Sequence, residues 1–261
     1  MFDYLTTNHY GRCVKNNDWY LKSFGVNRIH YIHQGHLSIM LDNTRYDLQP
    51  QRIYLFPQNL KLELLLTEDT EVDHTFFDFF TLPAIRMDTL MEIDPKEHPV
   101  IEKAAQILFD LAEQYQTYPS MQRNEYSDLV ESYLRNLLTL MDKTFPIPLI
   151  TDARINAALD YIHKHYSEEL TLETLTEVTN LEMNYFIRLF KQTVNMTPYQ
   201  YIKKYRFNVA LSMMKQGHSM GETALAIGYS DAVSFSHGFK KYFGKAPSEF
   251  SPRKGLKKGG F

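Results

Sequence analysis

Cysteine is nearly missing from this chain of 261 residues: Cys13 is the only one, and Trp19 is the only tryptophan. A lone thiol builds neither a disulfide framework nor a thiolate zinc site within one chain, so a reducing, cytoplasmic setting is expected. Long apolar runs are missing as well. No stretch approaches the ~18 uncharged apolar residues of a membrane span. Met1 to Tyr10 include Asp3 and lack the basic start and apolar run of an export signal. Neither membrane insertion nor export is expected. No phosphate-cradling glycine loop, nucleophile elbow or zincin pattern is present, so the sequence supports neither an enzyme nor a bound cofactor.

What is there suits packed cores: 44% of residues are hydrophobic and 14% aromatic. The length fits two domains of ~100 to 150 residues each. The net charge of −3 hides an asymmetry. Residues 1–151 carry 13 Lys and Arg against 21 Asp and Glu, a net of −8; residues 152–261 carry 15 against 10, a net of +5. A basic second part suits a polyanionic partner, because neutralising phosphates releases condensed counterions.

The first hundred residues read as strands and turns. Ile29 to Ile32, Leu37 to Leu41, Arg52 to Phe56, Leu60 to Leu66 and Thr75 to Phe80 are short apolar runs, separated by Gly35, Asp42-Asn43, Pro57 and Glu68-Asp69. Asp42-Asn43 fits a hairpin tip between Leu37–Leu41 and Arg45–Leu48. Many short strands with close turns predict a small barrel or sandwich. From Pro99 the period changes to three and four, through Val100, Ala104, Ile107, Leu108 and Leu111 and then Tyr126, Leu129, Val130, Tyr133, Leu134, Leu137, Leu138 and Met141. That spacing predicts two amphipathic helices, which pack on the strands, form a homodimer seam, or do both. Phe145-Pro-Ile-Pro-Leu-Ile150 then breaks the helix twice.

Beyond this break lies an internal repeat. Phe190-Lys191, Asn195, Pro198 and Tyr201 stand at the same offsets as Phe239-Lys240, Gly244, Pro247 and Phe250. Each copy follows a helix, a tight turn and another helix. In the first, Leu172, Leu175 and Val178 form the inner face, Asn180 turns the chain, and Met183 to Thr193 follows. In the second, Ser219-x-x-Glu222 is a capping box, Ala224, Leu225 and Ile227 face inward, Gly228 turns, and Asp231 to Tyr242 follows. Thr197-Pro198 opens a connecting helix running through about Lys215. About 18 residues at ~1.5 Å each give a rod of ~27 Å. Such a rod suits two reading helices in successive major grooves, which lie ~34 Å apart.

Arg206-Phe-Asn-Val-Ala-Leu211 and the run from Ile227-Gly-Tyr-Ser through Lys245-Ala-Pro-Ser-Glu-Phe250 resemble the signature region of AraC/XylS-type transcription regulators. The resemblance covers Asp152 to Arg253 and implies two helix-turn-helix motifs, promoter binding and activation through contact with RNA polymerase. More loosely, Tyr46-Asp47-Leu48-Gln49-Pro50 leading into Ile53-Tyr-Leu-Phe-Pro57 is similar to the family's cupin-like sensor. The expected fold is therefore α+β with two domains. An N-terminal cupin-like β-barrel is followed by helices, and a C-terminal all-α domain carries two helix-turn-helix motifs joined by a long helix. Residues 1–98 are the effector-binding part, 99–145 the amphipathic helices, 146–151 a linker and 152–261 the DNA-binding part.

Carried over position by position, the resemblance gives a first reading face of Asn184, Ile187, Arg188 and Lys191. Arg188 is suited to reading guanine bidentately, Asn184 to adenine or phosphate, Ile187 to a thymine methyl and Lys191 to backbone. The second face is Ala232, Val233, Ser236 and His237, with Lys240 and Lys241 near phosphate. Its weaker hydrogen-bonding groups point to backbone grip and groove shape. Phe186, Leu189, Phe190, Phe235, Phe239 and Phe243 are core by spacing, and the tail Arg253-Lys254 and Lys257-Lys258 adds nonspecific attraction.

For the N-terminal part, Trp19, Tyr20, Arg28, His30, Tyr31, Phe77 and Asp78 are candidates to line a pocket for a sugar or another small polar effector. His30, His33, His36 and His74 raise the question of a metal, but His30 and His33 on one strand point to opposite faces and Gly35 precedes His36, so none is expected. Glu68-Asp69 and Glu71-Val-Asp73 read as solvated turns. The reading reached is a dimeric, effector-controlled activator that binds double-stranded promoter DNA. Two rivals are a ligand-independent regulator whose N-terminal part only dimerises, and a cupin-type metalloenzyme.

Overall fold

The computed structural model describes residues 2, 4–14, 26–41, 43–60, 62–65, 72–115, 123–215 and 217–250. Trp19, Tyr20 and the basic tail lie outside the described residues. The larger of two sheets orders β1 (Tyr4–Val14), β7 (Val72–Leu82), β2 (Asn27–Gly35), β5 (Ile53–Phe56) and β8 (Met91–Ile93). The smaller orders β4 (Thr44–Leu48), β3 (Leu37–Leu41) and β6 (Leu62–Leu65), and the pairings in both are antiparallel. The expected hairpin forms, with Leu41 opposite Thr44 and Asn43 at φ 70°, a left-handed conformation that Asn tolerates. Two strands escape the sequence reading. β1 interleaves Thr, Asn, His and Arg with its apolar residues because it is an edge strand, and β8 has only 3 residues.

Alternation along β2 divides its side chains between two cores. Ile32 joins Leu37, Ile39, Leu41, Tyr54 and Phe56 between the sheets. Ile29 joins Ile53, Leu55, Phe77 and Phe79 beneath helices α1 (Pro99–Tyr115) and α2 (Arg123–Thr144). Those helices bring Ile101, Ala105, Leu108, Val130, Leu134, Leu137, Leu138 and Met141 to the same core, every one of them buried. At ~1.5 to 3 kcal/mol per fully buried large aliphatic side chain, this face is enough to hold both helices on the sheet.

The remaining helices are α3 (Ala153–His165), α4 (Leu172–Thr179), α5 (Met183–Val194), α6 (Pro198–Lys215), α7 (Met220–Ala226) and α8 (Ala232–Phe243). The sequence repeat has a physical basis. Asn195 (φ 62°) and Gly244 (φ 75°) both end their helices in the left-handed region, and Tyr201 and Phe250 are both buried. The Ser219–Glu222 capping box forms, and Asn180 caps α4 at φ 51°. Two inward assignments need correction. Leu225 is 65% exposed and Val178 37% exposed, while Thr223 and Thr179 take the buried positions beside Ala224 and Leu175.

The sheets and the C-terminal helices share cores. Leu82, Ala84 and Ile150 pack with Ile155, Leu159, Phe186, Phe190 and Tyr201. Val26 and Phe80 pack with Tyr205, Phe207, Ala224, Phe235 and Phe239. The proline-rich segment is docked: Ile85 bridges Leu149, Arg86 N–H donates to Pro148 at 2.9 Å, and Ile150 N–H donates to Ala84 at 2.8 Å. Asn156 fastens both sides, donating to the Ile150 carbonyl and accepting from Ala84 N–H.

At the centre of this seam is His163, 5% exposed. Its ring stacks on Tyr205 at 4.4 Å, its Nε2 lies 2.7 Å from the Tyr201 hydroxyl, and Phe80 from β7 is 5.1 Å away. Burial pushes the imidazole down to about 3. Below about pH 6.5 the unfolded chain takes up a proton that the folded chain refuses, so stability is lost as pH falls, by up to ~1.4 kcal/mol per unit. His163→Gln should therefore show a shallower fall in Tm than the unsubstituted protein between about pH 6.5 and about pH 4, measured by calorimetry. Parallel profiles would show that His163 contributes nothing to the acid sensitivity.

Candidate nucleic-acid interface and barrel interior

Both second helices present one buried and one outward face. In α5, Phe186 and Phe190 are buried, whereas Asn184, Arg188 and Lys191 are exposed and Ile187 is half-buried. In α8, Phe235 and Phe239 are buried; Val233, His237, Lys240 and Lys241 are exposed, and Ala232 and Ser236 are half-buried. Val233 is 65% exposed, a large apolar group left in water. Each of these helices starts on an acid. Glu182 accepts from Asn184 and Tyr185 N–H at 3.0 Å, and Asp231 accepts from Val233 at 2.9 Å and Ser234 at 2.7 Å. Those amide bonds hold both carboxylates below their ordinary range.

Two neighbours of the first face escaped the sequence reading. Tyr185, 38% exposed, lies under the Arg188 guanidinium at 5.4 Å and near that of Arg154 at 5.9 Å. The signal was the three-residue step from Tyr185 to Arg188, one turn apart on a helix. Arg154 is also held by Asp152, its Nη2 2.8 Å from Oδ2. Asn184 donates to Glu182 Oε1 at 3.2 Å, so part of its amide is already engaged.

Arg206, in the signature run, does structural work. Its Nε donates to the Tyr166 carbonyl at 2.6 Å and its Nη2 to the Glu168 carbonyl at 2.5 Å, tying α6 to the end of α3. Gly228 sits against the same segment at φ 82°, and a Cβ there would lie 2.5 Å from the Ser167 carbonyl oxygen. Gly228→Ala therefore meets backbone it cannot displace and a backbone angle that L-residues avoid. It should destabilise the protein by roughly 1 to 3 kcal/mol and weaken DNA binding in step. Denaturant unfolding checks this, and an unchanged midpoint would contradict the clash.

The candidate effector residues divide between two places. Arg28, His30 and Asp78 lie together: Arg28 Nε and Nη2 donate to Asp78 at 2.6 and 2.8 Å, and His30 stacks on His74 at 4.6 Å and meets the edge of Phe56. Tyr31 and Phe77 do not join them. Tyr31 stacks on Phe109 at 4.6 Å and Phe77 on Tyr10 at 5.7 Å, both in the core beneath α1 and α2. Neighbours in a strand cannot face one chamber, so this pair is withdrawn from the lining.

Burial, then His74 and Arg28, push His30 well below its ordinary value, which leaves it neutral. The Arg28–Asp78 pair cancels its own charge. His33 sits with Tyr31 on the helix side, 2.8 Å from the Thr75 hydroxyl, and His36 is exposed. Among the described residues no group of three His, Cys, Asp or Glu side chains is arranged to hold a metal ion. Also among the described residues, no helix is long and apolar enough to cross a membrane.

Comparison with known proteins fits this geometry. A family model described as a helix-turn-helix domain matches residues 175–253. The chain is 23% identical to the Msm operon regulatory protein of Streptococcus mutans over 94% of this chain and 92% of that one. It is 30% identical to the transcriptional regulatory protein HptR of Staphylococcus aureus, over 38% of this chain and 39% of that one. Among solved structures, ToxT from Vibrio cholerae superposes with a TM-score of 0.65 at 14% identity, covering 94% of this chain and 97% of that one. ToxT with an unsaturated fatty acid bound gives a TM-score of 0.63 at 13% identity, covering 94% of each chain. At such identities the likeness to ToxT shows the two-domain fold, a β-rich part followed by a helical helix-turn-helix part.

Proposed function

Because the chain belongs to the AraC/XylS family of DNA-binding transcription regulators, we propose that it is a promoter-specific activator whose grip on DNA is set by a small-molecule effector. The observation that carries the DNA-reading half is the pair of helices with buried phenylalanines behind and Asn184, Ile187, Arg188, Lys191 and Ala232, Val233, Ser236, His237, Lys240, Lys241 in front. In this reading residues 1–98 sense the effector, 99–145 support dimerisation, 146–151 join the parts and 152–261 bind DNA. Exposed Val100, Ile107 and Leu129 on α1 and α2 favour a homodimer through those helices. Contact with RNA polymerase is what activation in this family requires.

Arg188, backed by the Tyr185 ring, reads a base, and Val233 rests on a thymine methyl in the second groove. The effector is largely apolar rather than a sugar, because the between-sheet core is lined by Ile32, Leu37, Ile39, Tyr54 and Phe56 while its buried charges are mutually paired. The fatty acid bound to ToxT supports that choice. In binding assays Arg188→Ala should lose roughly 1 to 3 kcal/mol of specific over nonspecific affinity, whereas Lys240→Ala should weaken both alike. Equal losses on cognate and random DNA for Arg188→Ala would reject it as a base reader.

A further inference from the structure

Arg154 stands at the start of α3, outside the α4–α5 pair, and its guanidinium is pinned flat by Asp152, Nε to Oδ1 at 3.1 Å and Nη2 to Oδ2 at 2.8 Å. Asp152 is itself fixed, because it caps α3 by accepting from Arg154 N–H at 3.0 Å and Ile155 N–H at 3.4 Å. The pinned guanidinium lies over the Tyr185 ring at 5.9 Å, and the same ring carries Arg188 at 5.4 Å. Both distances are within cation–π range. Arg188 makes no ion pair among the described residues, so the ring is the contact that orders its long side chain. The start of α3 is in turn fastened to the sheets, through Ile150 N–H on the Ala84 carbonyl at 2.8 Å and Asn156 on the Ile150 carbonyl at 2.7 Å.

We propose that Arg154 is a positioning residue for base recognition: it clamps the Tyr185 ring, and the clamped ring holds Arg188 in the orientation that reads one base pair. This rests on Arg188 being the base reader proposed above and adds the residue that aims it. A direct grip on phosphate fits Arg154 poorly. Two of its donors are engaged by Asp152, and that carboxylate repels a phosphate that would displace it. A flexible arginine loses rotamer freedom when it docks on a base, and a side chain already laid on a fixed ring has less to lose. The second unit lacks the arrangement. At the offsets of the repeat Ser234 stands for Tyr185 and His237 for Arg188, and the Ser234 hydroxyl donates to Asp231 at 2.8 Å. The clamp therefore gives the first unit a sharpened reader that the second does not have.

The test uses the full chain to select sites from a pool of random duplexes, and then measures the base preference at each position for the unsubstituted protein and its variants. Arg188→Ala should flatten the preference at one base pair. Arg154→Lys keeps the charge but loses the planar fork, and should weaken that same preference roughly two- to fivefold while leaving the other positions and the affinity for random DNA unchanged. Tyr185→Leu should weaken it at least as much. In the Arg188→Ala background Arg154→Lys should add nothing, as coupled residues require. Arg154 and Asp152 form an exposed pair that adds little to stability, so the fold is not at stake. An unchanged profile for Arg154→Lys, a loss shared by selected and random DNA, or a loss that persists without Arg188 overturns the clamp and leaves Arg188 as the reader. If Arg188→Ala flattens no position, reader and clamp fall together.

Discussion

Everything in the C-terminal half depends on α6 being packed into two cores at once. Its first turns give Tyr201 and Ile202 to the core of α3, α4 and α5, and its later turns give Tyr205, Phe207, Ala210, Leu211 and Met214 to that of α7 and α8. A helix buried nearly all round has no freedom to slide or roll, because each movement would open voids on two sides. Arg206 adds a lock between them through the Tyr166 and Glu168 carbonyls. The spacing of α5 and α8 is therefore a property of packed side chains rather than of a tether.

Much of this was legible in the sequence. The repeat from Phe190 to Tyr201 and from Phe239 to Phe250 encodes helix ends, left-handed caps and buried aromatics, all local features, and each appears where its residues stand. The outward faces of α5 and α8 came from the resemblance, carried over position by position, and the buried phenylalanines behind them from spacing. What failed was what depends on distant partners. Leu225 reads as core by composition, yet Thr223 and Ala224 take the contact with the neighbouring helix. Tyr31 and Phe77 read as ligand-facing aromatics, but two amphipathic helices cover that side of the sheet. Lys204 in α6 is buried as well, signalled only by its position three residues after Tyr201 and on the same face, where a lysine is out of place.

The N-terminal half follows a different logic. Its larger sheet is covered on both faces, by helices on one and by the smaller sheet on the other, so β2, β5 and β7 are buried almost throughout. Polar groups there survive only by local settlement. Arg28 takes Asp78 bidentately, and His30 gives up its charge and stacks on His74. The interior of the sheets is electrically quiet, its buried guanidinium and carboxylate being paired with each other.

The sharing of cores between sheets and helices bears on how such a protein can be divided. Val26, Phe80, Leu82 and Ala84 from the strands complete apolar surfaces made by Tyr201, Tyr205, Phe207 and Ile155. A fragment starting after the proline-rich segment would carry that surface bare, an apolar scar flanked by the buried imidazole of His163. Such a scar favours self-association over solution as a monomer, so cutting this regulator at its most obvious sequence break parts two halves that finish each other's interiors.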